Sequence, residues 1–229
     1  MNRYEYKFLI SNAEAIDISA RLSAAMSRDK NYADESYFIR SLYFDDRNYS
    51  AYYDKVNGVE HREKFRIRFY NADPSYIVFE RKLKHGIKVN KSQIRIDENI
   101  ARAVIAGDFS ALGGDISGGE NGELTGEIYA RFARGFYPAA VTDYEREAFT
   151  HPASRTRITL DKNLHAPLSF DIFDAPVTLP IYDNGEVILE VKFDTFLPEF
   201  IKLLLPRNIG QPLAISKYCL CREVLMKCK

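Results

Sequence analysis

Between residues 62 and 96, apolar and charged positions alternate with a period of two, which sends each set to its own side of a strand. Phe65, Ile67 and Phe69 alternate with Lys64, Arg66 and Arg68. Ile77, Phe79 and Leu83 stand against Glu80, Lys82 and Lys84, and Ile94 and Ile96 against Lys91, Gln93 and Arg95. Asn71, Asp73 and Pro74 mark one turn and Gly86 the next, so the pattern predicts three consecutive strands, each with an oily face and an ionic one. A sheet with one face in water explains one such strand. It explains several neighbours poorly, because long cations on adjacent strands repel one another unless an anion sits among them. Phosphate fits that requirement.

The same alternation recurs at the N-terminus, where Arg3, Glu5 and Lys7 interleave with Tyr4, Tyr6, Phe8 and Ile10. Ser11 followed by Glu14 reads as a capping box opening an amphipathic helix through Ile16, Leu22 and Met26 to about residue 28. Tyr37 to Asp46 predicts a second strand, after which Asn48 caps a short helix around Ala51 to Lys55. Asp97 to Gly107 reads as a helix, and the stretch GDFSALGGDISGGENGEL as a flexible connector, since its glycines lack the Lys-Ser/Thr ending of a P-loop. Leu124, Ile128 and Phe132 mark a further helix. VTDYEREAFT presents Tyr144 and Arg146 on one side of a strand, and RTRITLD presents Arg155, Arg157 and Asp161. In GEVILEVKF, Val187, Leu189, Val191 and Phe193 face one way and Glu190 and Lys192 the other. Helices over Pro198 to Leu205 and Ser216 to Lys227, the latter capped by Ser216, close the chain.

Neither a repeat nor a domain break interrupts the pattern, so residues 1–229 are expected to form a single domain. About eight strands with intervening amphipathic helices predict an α+β fold: an eight-stranded closed antiparallel barrel with helices packed on its outside. Eight strands leave room for one small ligand, and closure removes sheet edges. With the apolar faces outward under the helices, the ionic faces line the lumen.

Composition narrows the function. A formal net charge of zero excludes a global basic field, so nucleic acid is not the expected partner. The three cysteines, Cys219, Cys221 and Cys228, are odd in number and lack paired metal spacing, as expected of a reduced cytoplasmic protein. Cys219 and Cys221 read as packing residues. The first residues are neither a signal nor a transit peptide, and no apolar run approaches the roughly 20 residues of a membrane helix.

Taken together, Lys7, Arg66-Ile-Arg68, Glu80-Arg-Lys82, Lys91, Arg146, Arg157, Glu190-Val-Lys192 and Ser216-Lys217-Tyr218 resemble the VTC domain, the catalytic domain of the vacuolar transporter chaperone polyphosphate polymerase. That domain belongs to the triphosphate tunnel metalloenzymes, or CYTH superfamily, and the resemblance runs from Arg3 to Tyr218. It implies a cation-lined tunnel gripping a linear triphosphate with Mn²⁺ or Mg²⁺. Arg66, Arg68, Lys82, Arg146 and Arg157 would act on the reacting phosphates. Lys7, Lys91, Lys192 and Lys217 would bind substrate, Glu190 would hold the metal, and Glu5 and Glu80 would be further site residues. Arginine forks, lysine point charges and a hard ion's preference for carboxylate oxygen suit those roles. One feature departs from many relatives that hydrolyse organic triphosphates. They open with Glu-x-Glu-x-Lys, whereas Arg3-Tyr4-Glu5-Tyr6-Lys7 puts a cation first, which implies a thinner metal site and favours the VTC branch.

Other readings of single residues stand beside these. Glu190 serves equally as a counter-ion, and Arg66 and Arg68 as a surface ladder paired to acids. Asp143, Glu145 and Glu147 are expected on solvated surface, and Asp45 and Asp46 to cap the following helix. His61, His85, His151 and His165 show no ligand spacing. Three activities follow. One is a metal-dependent phosphotransferase moving the terminal phosphoryl of ATP or another triphosphate to polyphosphate or pyrophosphate. The second is a hydrolase of tripolyphosphate or an organic triphosphate, with Glu5, Glu80 or Glu190 activating water. The third is a polyphosphate-binding protein without turnover. No membrane segment is expected, and protein partners are not legible.

Overall fold

A computed structural model describes residues 4–29, 35–86, 88–113, 120–133, 135–206 and 209–228. In chain order the first elements are β1 (Tyr4–Ile10), α1 (Asn12–Ala25), β2 (Ser27–Arg28), β3 (Tyr37–Asp45), α2 (Ser50–Val56), β4 (His61–Tyr70), β5 (Asp73–His85) and β6 (Lys88–Ile96). Then come α3 (Glu98–Ile105), a 3₁₀ turn (Phe109–Gly113), α4 (Glu120–Phe132), β7 (Tyr137–His151), β8 (Thr156–Pro167), β9 (Thr178–Pro180), β10 (Val187–Phe193), α5 (Glu199–Leu204) and α6 (Lys217–Lys227). Hydrogen-bonded strands follow the order β1-β10-β8-β7-β3-β4-β5-β6, with β2 on β7 and β9 on β8. Among the described residues this path is open, so the expected ring of strands is not seen. A count of eight permits closure without imposing it, because closure also requires matched tilt and stagger.

The chain divides into two compact units, and β3, β7 and β8 each contribute to both. The first comprises Met1–Phe38, Asp143–His165 and Pro180–Ile215. Its core joins Phe8 and Ile10 of β1, Val187, Leu189 and Val191 of β10, Ile158 and Leu160 of β8 and Phe149 of β7 to the buried sides of α1 and α5. Ser11 caps α1 as expected: its hydroxyl accepts from the Glu14 N–H, and the Glu14 carboxylate accepts in return from the Ser11 N–H. The buried stripe of α1 is Ala15, Ile18 and Leu22, while Ile16 is exposed. Six residues separate Ile16 from Leu22, about 240° around a helix, so the two cannot share one face. Ser11→Ala should lower stability by about 1 kcal/mol, read as a shift of the denaturation midpoint at unchanged denaturant slope.

The second unit comprises Ile39–Thr142, Ala166–Leu179 and Ser216–Lys229. Leu42 and Phe44 of β3, Phe65, Ile67 and Phe69 of β4, Ile77 and Phe79 of β5, and Ile94 and Ile96 of β6 form one apolar face. Ala101 and Val104 of α3, Leu112, and Ile128 and Phe132 of α4 cover it. Phe132 packs edge-on against Phe44 at 5.0 Å between centroids and lies 4.3 Å from Phe109. Helix α4 begins at Glu120, inside the Gly-rich stretch, so the connector is shorter than its composition suggests. Its residues 114–119 lie outside the described ones. Asp45 and Asp46, not Asn48, satisfy the start of α2: Asp45 accepts from the N–H groups of Ala51 and Tyr52, and Asp46 from those of Asn48 and Ser50. Cys219 and Cys221 are buried outside any disulfide, as packing residues should be, and Cys228 is exposed. No described helix is long and apolar enough to cross a membrane.

Candidate functional site

In the second unit, burial of the apolar face fixes which side chains stand opposite it, and strand register sorts them into rows. Arg62 pairs across from Lys84. Lys64 faces Lys82, which faces Lys91. Arg66 faces Glu80, which faces Gln93, and Arg68 faces Val78, which faces Arg95. Like charges directly opposite one another destabilise a sheet, and here they meet in the Arg62 and Lys64 rows, while in the next row the carboxylate Glu80 is set among the cations.

Glu80 is the carboxylate at the centre, only 2% exposed. It accepts from Arg66 Nε and forms an ion pair with Lys91. Arg66 Nη1 also donates to the Tyr43 hydroxyl (3.2 Å), Arg68 Nε to Ser41 Oγ (3.0 Å), and Lys91 Nζ to Gln93 Oε1 (3.0 Å). Lys64 Nζ donates to Ser216 Oγ (2.9 Å) and lies 5.4 Å from the centre of the Tyr218 ring. Burial pushes the Glu80 carboxyl up, but Arg66, Arg68 and Lys91 outweigh it and hold the group well below the usual carboxylate range. A carboxyl depressed in this way contributes stability that is present above its unfolded value and lost as pH falls through its folded one. Glu80→Gln should therefore flatten the acid limb of a stability-versus-pH curve below about pH 4. An acid limb identical to that of the wild type would show that Glu80 carries no such linkage.

Two members of this cluster were not singled out from sequence as site residues, Tyr43 and Lys64. Lys64 was visible in the alternation. Tyr43 was not, because only the β3–β4 register places it opposite Arg66.

The first unit has its own ionic face. Glu5 pairs across from Lys192 and Lys7 from Glu190, Lys192 lies opposite Arg157, and Arg146 opposite Asp161. Lys7 Nζ sits 3.1 Å from Glu5 and 3.4 Å from Glu190, and donates to the Ile215 carbonyl at 3.2 Å. Lys192 pairs with Glu190 and lies 3.8 Å from Glu5. Arg146 forks onto both oxygens of the buried Asp161, at 2.6 and 2.7 Å. Arg157 pairs with Asp29 and donates to the Tyr37 hydroxyl. Burial disfavours the Lys7 ammonium, yet Glu190 and Glu5 raise its pKa; for Lys192 burial wins over Glu190 and lowers it.

Asp143 and Glu147 do not lie on solvated surface. Both are buried, and Glu147 accepts from Ser19 and Lys162, with Arg28 3.6 Å away. Serine and arginine from around α1 reach a carboxylate that local alternation assigns to water. Glu145 is the exposed member of the run.

The carboxylates available to a divalent ion in the first unit are Glu5 and Glu190, brought together by the lysines they share. Among the described residues no three His, Cys, Asp or Glu side chains are grouped to cage an ion. Two carboxylates still fit Mg²⁺ or Mn²⁺, since such hard ions bind through one or two carboxylates and fill the remaining positions with water and substrate phosphate. Arg3, the cation in place of a first carboxylate, lies outside the described residues.

The profile of the VTC domain matches residues 2–226. The chain belongs to the VTC domain family. With that membership goes the superfamily named from sequence, the triphosphate tunnel metalloenzymes. This VTC domain is 30% identical over 154 residues to vacuolar transporter chaperone complex subunit 4 of Schizosaccharomyces pombe, a match covering 59% of the chain but 21% of that protein. The chain thus spans about a fifth of the length of that curated relative. Among solved structures, a candidate adenylyl cyclase from Hippeastrum, described as having a dominant triphosphatase activity, is similar at a TM-score of 0.59 and 20% identity, over 98% of this chain and 96% of that one. A candidate adenylate cyclase from Bacillus halodurans is similar at 0.51 and 13%, over 89% and 87%. At these identities the two likenesses establish the fold alone.

Proposed function

We propose that this VTC domain is a phosphotransferase that moves the terminal phosphoryl group of ATP or another triphosphate to a polyphosphate or pyrophosphate acceptor, with Mn²⁺ or Mg²⁺. The observation that carries the reading is the set of cation rows on β4, β5 and β6. Successive rows lie two residues apart, so Arg62 to Arg68 extend over about 20 Å of strand. That is more than a single triphosphate needs and suits an extended phosphate chain. The reading treats residues 1–229 as one domain whose strand path closes into a ring, and a cytoplasmic setting is compatible with three cysteines that stand outside any disulfide.

In this scheme Arg66, Arg68, Lys82, Arg146 and Arg157 hold the transferred phosphoryl group, and Lys7, Lys91, Lys192 and Lys217 hold the rest of the chain. An acceptor phosphate oxygen attacks the terminal phosphorus, and the bond from that phosphorus to the leaving diphosphate breaks. The acceptor is already ionised, so positioning and charge neutralisation suffice and no strong base is required. When bound at Glu190 and Glu5, the divalent ion supplies further neutralisation of phosphate charge. Hydrolysis is the weaker alternative, because water needs a base. Glu80, held far below the usual carboxylate range, is a poor one.

The test is incubation with ATP and Mn²⁺ followed by gel detection of polymer. Long polyphosphate is expected. Phosphate release without polymer would mean a hydrolase, and tight binding with no product over hours would mean a binding protein.

A further inference from the structure

The second unit contains two buried tyrosines in ring contact that play opposite polar roles. Tyr43 of β3 and Tyr218 of α6 lie 5.4 Å apart between centroids and are 7% and 1% exposed. The Tyr218 hydroxyl donates to Asp45, a carboxylate also held by the N–H groups of Asp46, Ala51 and Tyr52. Burial together with Asp45 holds the Tyr218 phenol far above its ordinary value, so it is a fixed donor. Tyr43 is the reverse. Its oxygen accepts from Arg66 Nη1, and Arg68 and Lys217 add positive charge around it. The nearby carboxylates are committed elsewhere, Asp45 to Tyr218 and α2, Glu80 to Arg66 and Lys91. Burial pushes the Tyr43 phenol up, yet Arg66, Arg68 and Lys217 bring it down to about 8. Paired groups whose surroundings drive their titrations apart are a recurrent sign of divided acid and base duties.

We propose that Tyr43 is a proton-exchanging positioning residue of the phosphate site: it orients Arg66, exchanges its proton with solvent while the site is empty, and regains it when triphosphate oxygens face Arg66, Arg68 and Lys217. The inference rests on the reading of this face as a phosphate site. It makes triphosphate binding a proton-uptake reaction. A bound polyanion returns the phenol toward its ordinary value of about 10, so affinity falls about tenfold between about pH 7 and pH 9 relative to a protein lacking the phenol. That trend opposes the one expected from the ligand, which gains negative charge as pH rises.

The test uses the full chain, metal-free inorganic tripolyphosphate, and Tyr43→Phe, which keeps the ring and its packing on Tyr218. Calorimetry in two buffers of different ionisation heat should show that the wild type takes up about 0.7 proton more per ligand than Tyr43→Phe at about pH 8.5. Ultraviolet titration of the ligand-free wild type should show a single-tyrosinate step near pH 8, absent from Tyr43→Phe and moved above about pH 9 by saturating tripolyphosphate. Should the variant fail to fold, the wild-type titration with and without ligand decides alone. Normal tripolyphosphate binding with no such step, or with a step the ligand does not move, overturns this inference and spares the phosphate site. Failure to bind tripolyphosphate at any pH overturns both.

Discussion

Arg66→Ala and Arg68→Ala should each weaken metal-free tripolyphosphate binding by about a hundredfold, the worth of a charge-assisted contact in a partly buried site. Their effects on stability should differ. Arg66 bridges Glu80 and Tyr43, so its removal leaves the buried Glu80 with Lys91, a half-exposed partner, and costs up to about 3 kcal/mol. Arg68 donates to the Ser41 hydroxyl and adds positive charge beside Glu80 without pairing to it across the register, so its loss should cost less, about 1 kcal/mol. Relief of crowding alone, the expectation from a list of neighbouring cations, therefore holds for neither arginine, because both support Glu80. Isothermal calorimetry and thermal denaturation read the two effects separately. Unchanged affinity in both variants would remove this face from the phosphate site.

The period-two alternation finds the eight longer strands and separates their faces, because Phe65, Ile67, Phe79 and Ile94 have no stable place but beneath helices. The same holds for Val187, Leu189 and Val191 against Glu190 and Lys192. The pattern misses the two- and three-residue β2 and β9, the first of which takes up residues expected to continue α1. Alternation does not give register. Whether Lys64 meets Lys82 or Glu80 depends on turn geometry, and that choice decides whether the face is a neutralised ladder or rows of like charge. The role of Tyr43 and the bond of Asp45 to Tyr218 are hidden for the same reason, since those partners lie on another strand or on α6, whereas the capping duty of Asp45 is local and legible. Arg81 is a further case: it stands on the apolar side of β5, beside Phe65, and pairs with Glu63 and Glu127. A charge on that side becomes legible only when α4 supplies a carboxylate. The failures at Ile16, Asn48 and Glu147 are likewise failures of context, in helix phase, in competing caps and in long-range ion pairing.

Glu190→Gln should lower metal-dependent turnover by about a hundredfold while metal-free tripolyphosphate binding persists at neutral pH. In the ligand-free protein Glu190 is the buried counter-ion of Lys7 and Lys192, and both lysines also meet Glu5. Replacing it does not leave the cations unaffected. Lys7 keeps Glu5 at 3.1 Å and stays charged, whereas Lys192, already lowered by burial, loses its principal support against that burial. Its pKa falls further, so the variant's grip on tripolyphosphate should weaken as pH rises, more steeply than the wild type's. A counter-ion without a metal role predicts a different pattern: the lost negative charge tightens or preserves phosphate binding, and Mn²⁺ stimulates turnover as before. Calorimetry with and without Mn²⁺, run beside product formation, separates the two. Full metal-dependent activity in Glu190→Gln would leave Glu190 as a counter-ion and shift the search for the ion's carboxylate to Glu5.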